Sequence, residues 1–325
     1  MIIYTTEYLD EFDDLDDPGL RRHQRKGKRV KRNVKLPDAP AEGSARPDPA
    51  AELGSEIQFD PTFSASKFER AWIFEYLGPL YREHYISDVL RQVKGGKEAT
   101  VYCCLADAHI GVPLLAAKVY RPKVFRTLKN DAQYRKGREV LDVQGNEVRG
   151  RREALAMKKK SRFGQELSHT SWLSNEYQHL LVLHEAGVAV PKPVVQSDNA
   201  ILMEYFGTAE MPAPALHTVR LLPDEARPLF DRIVNDIATM LKHGCVHADL
   251  SAFNILYWRG DIRIIDLPQA VDPYKYPNAF KLFERDVARV CQYFARYGIA
   301  TNAARLTRDL WTRHIQRDTS EIFLA

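Results

Sequence analysis

VHADLSAFNILYWRGDIRIID, residues 246–266, decides how the whole chain is read. Three polar residues, Asp249, Asn254 and Asp266, stand in or beside apolar runs, where an unpaired carboxylate is costly. NILYW and IRIID read as short strands and RGD between them as a tight turn, so the segment is a hairpin. Asn254 then opens the first strand and Asp266 closes the second, and the two ends of one hairpin lie side by side. An oxygen-ligand pair at one point suits Mg²⁺, which is commonly held by one or two protein oxygens together with phosphates and water. Asp249, five positions before Asn254, lies on the loop leading in, close enough to orient a hydroxyl or water nucleophile.

Taken singly, each residue has a structural explanation: Asp249 as a helix cap, Asn254 as a turn residue. Taken jointly they spell H-x-D-x-x-x-x-N before a hairpin ending in IID. That is the arrangement of a kinase catalytic loop, with Asp249 as base, Asn254 as second metal ligand and Asp266 as main metal ligand. His247 is read as structural, packing beneath the loop and hydrogen bonding rather than transferring protons.

The other half of a phosphoryl-transfer site is sought upstream. Lys118, in LLAAKVY, is a charge in the middle of a strand, the position of the kinase lysine that grips nucleotide phosphates. A snorkelling edge-strand lysine is its structural alternative. Glu176 lies mid-helix on the side shared with Leu173 and Leu180, placed to pair with Lys118. KGGKEATVY supplies a glycine turn at Gly95 and Gly96 that lets the backbone approach phosphates, with Lys97 adding charge and Glu98 following in the same turn. As a glycine-rich loop it departs from G-x-G-x-x-G. Met203, Glu204 and Tyr205 fall where kinases join their lobes and hydrogen bond adenine through the backbone.

The rest of the chain supports an α+β, two-lobed organisation. Residues 1–62 lack hydrophobic periodicity and hold an acidic block, a basic run from Arg21 to Arg32 and a Pro-, Ala- and Gly-rich stretch, the composition of a disordered tail. The basic run has a second reading, as a clamp on RNA phosphates. Apolar and aromatic residues from Phe68 to Tyr81 recur at helical spacing, within a segment from Phe63 to Arg91 read as helical. Residues 89–120 read as strand, glycine turn, strand, loop, strand, an antiparallel meander. Residues 63–205 then make the amino-terminal helices and first lobe, with a flexible basic insert at about 123–165, and residues 206–325 the second lobe. Helices are expected over LSHTSWLSNEYQHLLVLHEAG, residues 167–187, with the stop at Gly187, and from near Asp224 to KHG, with AILMEYFG as a buried strand between them.

Bulk properties exclude other classes. No run approaches the roughly 18 apolar residues of a membrane span, and the acidic amino terminus lacks the basic flank of a secretory signal. Four cysteines without C-x-x-C pairing argue against zinc and a disulfide scaffold. A cytoplasmic protein without membrane contact is expected.

GGKEATVY, AAKVY, NEYQHLLVLHEAGVAVPKPV, LMEYFG, VHADLSAFNIL, IIDLPQAV and LFERDVARVCQYF, in this order, resemble the RIO atypical protein kinases over about residues 63 to 300. GKEA and IIDLPQ are distinctive, and the resemblance leans to the branch without a winged-helix domain. Ala248 stands where that family usually has Gly. The resemblance implies a kinase-like fold with a reduced, mainly helical second lobe. It also implies serine/threonine kinase activity with ATP and Mg²⁺ or Mn²⁺, autophosphorylation, and ATPase turnover through a phospho-aspartate at Asp266. Its partners would be ATP, a protein substrate or the enzyme itself, and RNA or ribosomal particles through the basic segments. Fifty-nine residues follow Asp266, without an A-P-E signature, which argues against the peptide-binding helices of ordinary protein kinases. Two alternatives stay open: a small-molecule kinase of the aminoglycoside or choline type, and an RNA- or ribosome-binding factor using nucleotide as a switch.

Overall fold

The computed structural model describes residues 59–96, 99–120 and 162–316. The expected tail up to residue 58 and the basic insert up to residue 161 lie outside them, as do Lys97 and Glu98. Phe59, inside the segment expected as tail to residue 62, is instead buried and packs on Phe74 and Tyr81 with ring centroids 5.6 and 4.6 Å away. A single aromatic residue among polar neighbours carries no periodicity, so the sequence reading missed it.

Helix α1, Lys67–Arg82, starts at Ser66, whose hydroxyl accepts the Glu69 N–H at 3.4 Å, and buries Ile73, Tyr76, Leu77 and Leu80. It ends short of Arg91, because strand β1, Ile86–Gly95, takes the rest of the segment read as helical. β2, Ala99–Ala106, and β3, Leu114–Tyr120, complete the expected antiparallel meander. After α2, Arg162–Glu185, come β4, Pro193–Gln196, and β5, Ala200–Glu204, giving the sheet order β1-β2-β3-β5-β4. Four residues long and opened by proline, β4 fits only at a sheet edge, and it escaped the sequence reading for the same reason.

β3 explains how the fold serves a site. Leu115, Ala117 and Val119 belong to the core that α1 covers, whereas Ala116 and Tyr120 belong to the core shared with α2. Both faces are covered, so apolar and polar residues do not alternate. Period 2 puts Lys118 on the α2 face, with Ala116 and Tyr120.

The second core joins α2 to the remaining elements. Helix α3, Pro223–Lys242, has proline in its first turn and a Glu225 carboxylate accepting the Leu222 N–H at 2.8 Å. It buries Phe230, Ile233, Ile237, Met240 and Leu241. The expected hairpin follows, as β6, Ile255–Trp258, and β7, Asp261–Ile264. Its two turn residues, Arg259 and Gly260, both have positive φ, 51° and 82°, as a type I′ connection requires. Helices α4, Ala279–Ala295, and α5, Ala303–Trp311, then close the second lobe. No helix among the described residues is long and apolar enough to cross a membrane.

Candidate active site

The hairpin delivers Asn254 and Asp266 to one end, where the Ile265 N–H donates to the Asn254 carbonyl at 2.9 Å. Asn254 is buried. Its Nδ2 donates to the Asp249 carbonyl at 3.0 Å and to Asp249 Oδ2 at 3.3 Å, which leaves its Oδ1 as an acceptor. Asp266 takes a left-handed backbone, φ 70°, and Oδ1 accepts from Lys118 Nζ at 2.8 Å. Asp266 Oδ2 has no hydrogen-bond partner among the described residues.

Lys118 Nζ also donates to Glu176 Oε1 at 2.7 Å. Glu176 sits on the buried stripe of α2 with Leu173, Leu180 and Leu183 and is only 2% exposed. At such burial an unsatisfied carboxylate oxygen is expensive, and the Tyr120 hydroxyl donates to Oε2. Burial opposes the charge on Lys118, but the Asp266 and Glu176 carboxylates outweigh it and hold its pKa well above the lysine range. The same ion pair, against the opposing effect of burial, lowers the pKa of Asp266. Sequence reasoning placed Lys118, Glu176, Asn254 and Asp266 together, and the structure brings them together.

The loop before the hairpin is held from below. His247 is buried, Nε2 lies 3.1 Å from the Ile265 carbonyl, and Nδ1 accepts the Asp249 N–H at 3.3 Å. That pairing assigns the proton to Nε2. Burial lowers the imidazole pKa, more than its bond to Ile265 and the Asp266 and Asp249 charges raise it. A neutral, doubly bonded His247 fits the structural reading. Ala248 has φ 63°, the left-handed backbone region that glycine adopts without strain.

Helix α4 supplies contacts that the sequence reading missed. The Leu250 N–H donates to Asp286 Oδ1 at 3.1 Å, and the Arg285 guanidinium reaches the Ala248 carbonyl. Arg289 Nη1 lies 3.0 Å from Asp249 Oδ1. Burial pushes the Asp286 pKa up to about 7, against the lowering effect of Arg285 and of the bonds from the loop backbone. These residues follow Asp249 by 36 to 40 positions, and the sequence reading quoted their stretch, LFERDVARVCQYF, for the resemblance without giving them a role. Tyr120 was findable, because two positions along a strand share a face.

A cavity of about 560 Å³ opens onto this cluster, lined by Gly96, Lys118, Glu176, Met203, Asn254 and Asp266 among others. Lys94, Glu204, Tyr205 and Phe206 also line it, whereas Gly95 does not. Asp249 stands beside Asn254 but outside the cavity wall, 48% exposed. The Glu204 N–H is taken by the Lys192 carbonyl at 2.8 Å. Tyr205 and Phe206 N–H groups have no partner among the described residues. Beyond them Gly207, φ 137°, is held to glycine because a Cβ would meet the Met211 carbonyl at 2.4 Å.

Among the described residues no group of three or more His, Cys, Asp or Glu side chains could form a metal cage. Asn254 Oδ1 and Asp266 Oδ2, neither hydrogen-bonded among the described residues, are oxygen donors of the kind that would hold a hard divalent cation such as Mg²⁺.

A five-stranded sheet carrying a Lys–Glu pair, set against a hairpin with the H-x-D-x-x-x-x-N loop, defines the protein-kinase class of fold. A family model described as the RIO domain matches residues 115–306. The chain is 37% identical over 135 residues to the RIO-type serine/threonine-protein kinase Rio1 of Thermoplasma acidophilum, covering 42% of this chain and 69% of that protein. It is 29% identical over 225 residues to the protein of the same name from Haloferax volcanii, 69% of each chain. The human serine/threonine-protein kinase RIO1 is 33% identical over 136 residues, 42% of this chain but 24% of that protein. The chain belongs to the RIO family of atypical serine/threonine kinases.

Proposed function

We propose that this chain is an ATP- and Mg²⁺-dependent serine/threonine kinase that also phosphorylates itself and turns over ATP slowly. The observation that carries the reading is Lys118, bonded at once to Glu176 at 2.7 Å and to Asp266 at 2.8 Å at the edge of a cavity large enough for a nucleotide. Glu176 aims the ammonium group and Lys118 holds nucleotide phosphates. Tyr205 and Phe206 offer backbone N–H groups to a planar base, with Met203 and Glu204 shaping the wall. Gly96 and Lys94 border the phosphate end.

Asn254 and Asp266 would hold Mg²⁺, which when bound neutralises charge on the transferring phosphoryl group. Asp249, held by its neighbour Asn254 and by Arg289, accepts the proton of the attacking hydroxyl. The unbonded oxygen of Asp266 also makes it the candidate acceptor when no hydroxyl is present, the phospho-aspartate route to ATP hydrolysis. His247 and Asp286 fix the loop and exchange no proton with substrate. The basic tail and insert, with any RNA or ribosomal partner, remain a reading of composition alone.

Purified protein incubated with γ-labelled ATP and Mg²⁺ tests the proposal. Metal-dependent label on a serine, threonine or aspartate of this chain or of an added protein is expected, and none with any divalent metal contradicts it.

A further inference from the structure

The acceptor side of the site carries a feature that nucleotide binding does not use. Arg289 makes a single hydrogen bond among the described residues, to Asp249, although a guanidinium has five N–H donors. Its side chain is 40% exposed. Phe253, which precedes Asn254 in the chain and lines the same cavity, is 61% exposed and stacks on His217 with ring centroids 3.9 Å apart and planes 29° from parallel. A large apolar ring left exposed beside a reaction centre is a contact surface. The His217 N–H is fixed to the Ala252 carbonyl at 3.1 Å, so the pair is anchored to the loop itself. Burial, and then the nearby charges of Lys94 and Arg296, lower the basicity of His217. Arg296, the residue that follows α4, seven beyond Arg289, donates from Nε to the Tyr293 carbonyl at 3.3 Å.

Asp249 thus meets the Arg289 guanidinium directly, and its partner Asn254 is followed on one side by the hairpin and preceded on the other by the exposed Phe253, stacked on His217. We propose that Arg289, with Phe253 and His217, forms an acceptor subsite that selects a serine or threonine flanked by aspartate or glutamate. The inference rests on the kinase reading of the same site. A basic acceptor would bring like charge against Arg289, Arg296 and Lys94, whereas an acidic neighbour finds unused, charge-assisted donors. The phosphoryl step itself is unchanged. The acceptor oxygen forms the new bond to the γ-phosphorus, the bond from that phosphorus to the β-bridging oxygen breaks, ADP leaves, and the hydroxyl proton passes to Asp249.

The test uses the full chain, Mg²⁺ and ATP, with two peptides as probes. One has the sequence MIIYTTEYLDEFDDLDD, in which two threonines precede seven acidic residues. The other replaces those seven with asparagine or glutamine. The acidic peptide should be phosphorylated with kcat/KM about tenfold higher, the difference lying mainly in KM and shrinking with added salt. Arg289→Gln should abolish the discrimination and Arg289→Lys retain most of it, whereas a merely structural loss would slow both peptides alike. Equal rates in the unaltered enzyme, discrimination that survives Arg289→Gln, or an enzyme that labels itself but neither peptide each overturns the inference. Failure to transfer phosphate to anything removes the kinase reading, and this inference with it.

Discussion

Tyr120 donates its hydroxyl to the Glu176 oxygen that Lys118 leaves free. The carboxylate is buried, and both of its oxygens are held by residues of one strand, two positions apart. Tyr120→Phe keeps the ring against Trp172, 5.0 Å away, but strands Oε2. The variant should lose about 1–3 kcal/mol of stability in denaturant unfolding. A loss below about 0.5 kcal/mol, the ordinary range for surface substitutions, would show that the hydroxyl does not satisfy the carboxylate.

Asp266 is held by Lys118 through one oxygen. Asp266→Asn keeps the shape and removes the charge that a divalent ion would meet. Nucleotide binding by the unaltered protein should strengthen on adding Mg²⁺, and this gain should fall at least tenfold in the variant by calorimetric titration. An equal gain in both would refute the ligand role.

Ala248 has φ 63° and is fully buried. Ala248→Gly relieves roughly 1–2 kcal/mol of left-handed strain but loses about 0.8 kcal/mol for a buried methyl group, and adds backbone entropy to the unfolded chain. The terms nearly cancel, so thermal unfolding should show a change within about 1 kcal/mol. Ala248→Val, branched at Cβ in the same backbone region, should be strongly destabilised and inactive. A stable, active valine variant would contradict the left-handed geometry.

Asp286 supplies the pH dependence. Its pKa rises from 3.8 in the unfolded chain to about 7 in the fold, chiefly through burial. Below pH 4 the acid is neutral in both states. Between pH 4 and 7 the unfolded chain releases a proton that the folded protein keeps, so this group's contribution falls by up to about 1.4 kcal/mol per pH unit. Above 7 the loss is complete. Asp286→Asn should therefore gain on the unaltered protein as pH rises from 4 to 7, with the difference level above that. Parallel melting curves across the window would show that Asp286 stays ionised.

The site was largely legible because its parts are local. His247, Asp249, Asn254 and Asp266 span twenty residues and one hairpin, so the meeting of Asn254 and Asp266 follows from strand pairing, and His247 and Asp249 lie on the loop leading in. Lys118 and Glu176 were found by position in a strand and on a helix stripe, since a charge on a covered face requires a partner. What was missed has no local signature. β4 is too short for periodicity, Phe59 is a solitary anchor, and α4 reaches the loop only through tertiary packing, so Asp286 and Arg289 look like ordinary helix charges in the sequence. The resemblance led us to expect glycine at 248, but the left-handed φ of Ala248 could be read only from the structure.

Single-turnover transfer from labelled ATP, measured beside nucleotide affinity for the unaltered protein and Asp249→Asn, tests the central claim most directly. Removing the proton acceptor while keeping Asn254, Asp266 and Lys118 should lower the transfer rate by about 10²–10⁴-fold and leave affinity within a few-fold. Transfer at an unchanged rate by the variant would contradict the assignment of this loop as the centre of the reaction.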